Sequence, residues 1–83
     1  MDELESRLQR CFGEVFPDLN EQQTRTAAMA SVEAWDSVAM VTLISVVEEE
    51  FEIQIDLDDV EHLVSFLAFA EYIRAREGSA ATA

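Results

Sequence analysis

Apolar residues recur at spacings of three and four in three separate parts of this chain. Leu4, Leu8, Cys11, Phe12, Val15 and Phe16 form one stripe. Met40, Leu43, Ile44, Val47 and Phe51 form a second, with Val41 at its edge, and Phe66, Phe69, Ala70 and Ile73 form a third. Such spacing lays each set along one face of a helix. Ile53 and Ile55 alternate in strand fashion, but no second convincing strand is there to pair with them. Two glycines and one proline also supply too few turns for a small sandwich or barrel. The expected fold class is all-α: a small four-helix bundle with three main helices near residues 2–16, 37–51 and 65–76 and a short third helix near 57–62. A single domain over 1–77 accounts for the pattern, with 78–83 as a flexible C-terminal tail.

Local chemistry supplies the boundaries. Asp2 can cap the first helix and Pro17 ends it. Arg7 and Arg10 fall on its wet side. The second helix should begin at Ser37. Asp56 or Asp58 can cap the short helix and Ser65 the last one, whose stop is expected at Gly78. Between the first two main helices runs a long connection, residues 17 to 36. Leu19, Met29, Val32 and Trp35 can pin it to the core, with room for one extra helical turn near "TRTAAMA".

Charge narrows the functions available. Eighteen acidic residues against five basic ones give a formal net charge of −13. Nucleic acid phosphates and anionic membrane surfaces would be repelled, while basic partner surfaces would be steered inward. Cys11 is single, so no internal disulfide forms. No apolar run approaches the ~20 residues of a membrane span, and the acidic, amphipathic "MDELESRLQR" is unlike a secretory signal. A cytoplasmic, monomeric protein is the expectation.

Enzyme chemistry finds little support. A serine triad would need Ser37, His62 and an acid to converge, and no Gly-x-Ser-x-Gly elbow surrounds the serine. Zinc lacks a Cys/His cluster. "DLDD" resembles the start of a calcium loop, but its sixth position is Glu61 rather than Gly and its twelfth is Leu67 rather than Glu. No glycine-rich phosphate loop exists.

Ser37 remains. An Asp-Ser pair before an apolar run is by itself most often a helix start. Here "DSVAMVTLISVVEEEFEIQI" followed by "DLDDVEHLVSF" resembles the acyl carrier protein family. In that family an Asp-Ser-Leu type motif opens the second helix, which ends in a Glu-Glu-x-Phe cluster before an Ile-containing loop and a short third helix. Asp36, Ser37 and Val38 match the motif, with Val for the more usual Leu. Glu48, Glu49, Glu50 and Phe51 match the cluster, and Ile55 the loop.

The resemblance implies a non-catalytic carrier. Ser37 would accept 4′-phosphopantetheine from coenzyme A through a separate, magnesium-using phosphopantetheinyl transferase. The arm's thiol would then hold acyl groups as thioesters for loading and processing enzymes with basic or apolar docking patches. The residues expected to meet partners are Val38, Ala39, Thr42, Ser45, Glu48, Glu49, Asp58 and Asp59.

The chain departs from the family in two places. Ala39, Thr42 and Ser45 stand where carriers of fatty acid synthesis typically carry acids, and Trp35 replaces a small residue before the motif. Both favour a dedicated carrier of a specialised lipid or polyketide pathway. Peptidyl carriers usually show Gly-Gly-x-Ser, absent here, though some stand-alone aminoacyl carriers use Asp-Ser. An acidic helical interaction module without covalent cargo is the reading from a different class.

Overall fold

The structure, a computed structural model, describes the backbone of residues 3–82 and the side chains of residues 3–76. It is an all-α bundle: α1 (Glu3–Val15), α2 (Glu21–Arg25), α3 (Ser37–Phe51), α4 (Leu57–Val60) and α5 (Phe66–Thr82). The three long helices fall where the apolar stripes place them. The expected cap Asp2 lies outside the described residues, as do the side chains of the expected tail 78–83. Two expectations change. There are five helices among the described residues rather than four. The last helix also continues past Gly78, where a stop was expected; one glycine costs a helix only about 1 kcal/mol, and alanines follow it.

The added helix is α2. It starts three residues before the stretch "TRTAAMA" (24–30) where an extra turn was expected, and overlaps it only at Thr24 and Arg25, because Asn20 and Gln23 close a reciprocal capping box. Asn20 Oδ1 accepts from the Gln23 amide at 2.8 Å, and Gln23 Oε1 accepts from the Asn20 amide at 2.9 Å. Residues 27–29 are then free to pair with the loop before α5. The Met29 amide donates to the Val64 carbonyl at 2.8 Å and the Phe66 amide to the Ala27 carbonyl at 3.0 Å. This isolated bridge between Ala28 and Ser65 ties the long connection before α3 to the loop before α5. Ser65 also caps α5, its Oγ accepting from the Ala68 amide at 3.0 Å.

The core is an aromatic knot around Phe12. Its ring meets Trp35, Phe66 and Phe69 edge-on at centroid distances of 5.4, 5.2 and 5.6 Å, the arrangement favoured by the ring quadrupole. Phe16 and Trp35 close the set at 5.7 Å. Leu8, Leu43, Val47 and Ile73 fill the space around it. Cys11 is buried in the same core, and burial pushes its thiol pKa up to about 11. It is a packing residue rather than a nucleophile.

The acid cluster at the end of α3 is reconciled by contacts no local pattern announces. Arg7, expected on the wet side of α1, turns onto α3. Its Nε donates to the Glu50 carboxylate at 2.8 Å, its second nitrogen donates to the Glu50 carbonyl at 2.7 Å, and its guanidinium covers the Phe51 ring at 4.5 Å. A cation is thereby set against the negative end of the α3 dipole. The hydrogen bond from Arg7 holds the Glu50 carboxyl below its ordinary value. Its contribution is complete above the unfolded pKa and lost as pH falls through the depressed one.

Glu52 closes α3 in the left-handed conformation, φ 54° and ψ 47°, which a Cβ disfavours. Glu52→Gly should therefore raise stability by about 0.5–1 kcal/mol, read as a higher urea midpoint at unchanged slope.

Candidate functional site

Trp35, Asp36 and Ser37 divide three tasks along three consecutive residues. Trp35 is rooted in the core, and its Nε1 points toward Met40 Sδ at 3.4 Å, fixing the start of α3 from below. Asp36 is the N-cap, its Oδ1 accepting from the Ala39 amide at 2.9 Å. Ser37 is the first helical residue. Because Asp36 does the capping, the Ser37 hydroxyl is exposed and makes no side-chain hydrogen bond among the described residues. The amides of the first helical turn lack intrahelical acceptors by geometry, and they lie beside a hydroxyl that faces solvent.

Ser37 opens onto an apolar groove of about 370 Å³, within the size range of small-ligand sites. Met40, Val41 and Ile44 of α3 form one wall and Leu57 and Val60 of α4 the other. Met29 and Val64, flanking the loop bridge, close the far side, and Glu61 is the one charged lining residue. Val41 was expected at the edge of the buried face. It is two-thirds exposed, with its inner side toward the groove.

The other wall is lightly fastened. No residue of α4 is buried, and its N-cap Asp56 makes no side-chain capping bond. Its acids instead reach α5. The Tyr72 hydroxyl donates to Asp59 Oδ2 at 2.9 Å, and Arg76 lies 3.3 Å from Asp56 and 3.6 Å from Asp59 while covering the Tyr72 ring at 4.8 Å. Burial and the bond to Asp59 raise the Tyr72 pKa.

The expected partner residues separate into three groups. Val38, Thr42, Ser45 and Glu49 lie exposed along one stripe of α3, and Asp58 is exposed on α4. The Thr42 hydroxyl is turned back onto the Val38 carbonyl at 3.2 Å, which leaves that stretch less polar than its sequence. Ala39 is half-buried. Glu48 and Asp59 are tied down within the fold: Glu48 Oε2 accepts from the Ile55 amide at 2.8 Å, and Asp59 belongs to the α4–α5 contact. Glu49 lies toward Glu14 of α1 rather than beside the groove. His62 is exposed next to Glu61, with no serine partner. Among the described residues no group of three or more His, Cys, Asp or Glu could hold a metal ion, and no helix is long and apolar enough to cross a membrane.

Leu57, Val60 and Val64 are groove residues that sequence reasoning did not single out. The available signal was an apolar residue set between acids in "DLDDV", which a purely solvated helix would not need. No family model matches this chain, and no curated protein matches it with significant similarity.

Proposed function

We propose that the chain is a carrier protein whose Ser37 is esterified by 4′-phosphopantetheine. The observation that carries this reading is the free, exposed Ser37 hydroxyl at the first position of α3, beside an apolar groove and relieved of capping by Asp36. The residues fit the group. The amides at the start of α3 favour a phosphodiester there, and among the described residues no basic or acidic side chain hydrogen-bonds the Ser37 oxygen. When bound, the arm supplies a thiol that holds acyl groups as thioesters. The chain's own part is to present the attachment point on a rigid helix end and to offer apolar shelter next to it. Asp36 is occupied by the cap, so a base for the serine must come from the transferase.

Incubation with coenzyme A, magnesium and a promiscuous phosphopantetheinyl transferase tests the reading. Intact mass should rise by one phosphopantetheinyl group. An unmodified chain would favour an acidic interaction module, with α3 merely starting at Ser37. An aminoacyl or peptidyl carrier would be loaded equally well and differs only in what the thiol then accepts. The neutral positions Ala39, Thr42 and Ser45 favour a carrier of a specialised pathway.

Shelter of cargo has its own test. The core positions Val47, Phe51 and Phe69 are buried. The preformed apolar space lies at the groove. Loading an acyl chain should therefore shift the methyl signals of Met40, Ile44 and Val60 more than those of Val47. An equal response at Val47 would place the chain in the core instead.

A further inference from the structure

Three of the large apolar side chains that the fold leaves exposed share a groove with Ser37, and a fourth, Val38, follows it in sequence. Among the described residues five are exposed: Val38 at 75%, Val41 at 66%, Leu57 at 88%, Val64 at 45% and Leu67 at 64%. Val41, Leu57 and Val64 border one groove with Ser37 at its end. Val38 lies three residues before Val41, so the two are neighbours on the surface of α3. Contiguous apolar rims on an otherwise polar chain mark interaction sites. Here the contrast is sharp, since the chain carries eighteen acids and α3 has none in its first turn.

Three occupants compete for this rim. A second copy of the chain is disfavoured, because two molecules of net charge −13 repel at close approach. A small apolar cargo would cover the inner lining of the groove. It would leave Val38, which does not line the groove, and the outward side of Leu57 in water. A protein surface covers both. Charge selects its chemistry: from Ser37 to Ser45 the α3 side carries no carboxylate, the Thr42 hydroxyl is spent on the Val38 carbonyl, and Glu48 and Asp59 are held within the fold, which leaves Asp58 and Glu61, on the α4 side, exposed to a basic patch.

We infer that Val38, Val41, Leu57 and Val64 form the docking surface for enzymes that act on Ser37, and that those enzymes meet it with uncharged apolar side chains rather than basic ones. This rests on attachment of the arm at Ser37. The apolar rim holds the complex once formed.

The probe is the phosphopantetheinyl transferase with coenzyme A, and the readout is kcat/KM for loading of wild type, Val38→Asp and Leu57→Asp. Both positions are exposed and lie in the first turn of a helix, where an added carboxylate favours folding; unchanged circular dichroism and Tm verify this. The sign of the effect separates the two docking modes. A basic patch gains from each added carboxylate, whereas an apolar one loses. The expected result is a fall of about tenfold or more in each variant, carried mainly by KM. Between about 50 and about 500 mM NaCl the wild-type value should change less than about threefold. Variants that load as fast as wild type or faster would overturn the inference while leaving the attachment reading intact. Wild type that is not loaded at all would overturn the attachment reading, and this inference with it.

Discussion

Replacing Trp35 with alanine should cost about 3–5 kcal/mol, the range for removing a large buried aromatic side chain. Trp35 is 2% exposed and touches three other rings, those of Phe12, Phe16 and Phe69. The rings around it are held by α1 and α5 and refill the space only in part. A domain of this size has about 5–15 kcal/mol in total, so the variant should lie near the edge of folding. It should also loosen the start of α3, since Trp35 meets Met40 one turn inside that helix. Urea unfolding of Trp35→Ala and Trp35→Phe provides the check. Phe keeps most of the ring burial and loses the N–H directed at sulfur, so its cost should be well below that of Ala. A loss under about 1 kcal/mol for Trp35→Ala would mean that Trp35 is not part of the core.

Ser37→Ala should do the reverse: abolish loading completely while leaving stability within about 0.5 kcal/mol of wild type, as for surface substitutions away from special features. The hydroxyl makes no side-chain hydrogen bond among the described residues, so the fold loses nothing with it. Asp36→Ala is the complementary control. It removes the cap on the Ala39 amide and should cost about 1 kcal/mol, because the neighbouring Ser37 is already inside the helix. If Ser37→Ala still gained the mass of one phosphopantetheinyl group, the attachment point would lie elsewhere. If Ser37→Ala destabilised the chain as much as Asp36→Ala, the serine would be a capping residue after all.

The contrast between these neighbours shows how far sequence carries. The motif Asp36-Ser37-Val38 announced that a helix starts there, and it does. The motif alone did not assign the cap to one of the two polar residues. The backbone geometry did, by placing Asp36 in extended conformation and Ser37 at the first helical position. Likewise "EEEF" announced a crowded acidic end. Which carboxylate would be paired, which would hold a loop and which would stay in solvent depended on Arg7, distant in sequence and close only after folding, and on the Ile55 amide in the loop that follows α3. The capping box at Asn20 and Gln23 was legible in principle. The alanine-rich stretch after it has the higher helix propensity, but pairing with the Val64–Phe66 backbone outweighs that propensity.

The sequence by itself determined the three long helices, their buried faces, the pinning of the long connection by Trp35 and the helix start at Ser37. These follow from side-chain periodicity and capping, which act within a few residues. The tertiary structure alone decided the groove beside Ser37, the apolar rim around it and the tethers that remove Glu48 and Asp59 from the exposed surface. Those features are assembled from α3, α4, α5 and the loops between them. No periodicity records which of their apolar residues will be covered, because that depends on how the segments meet.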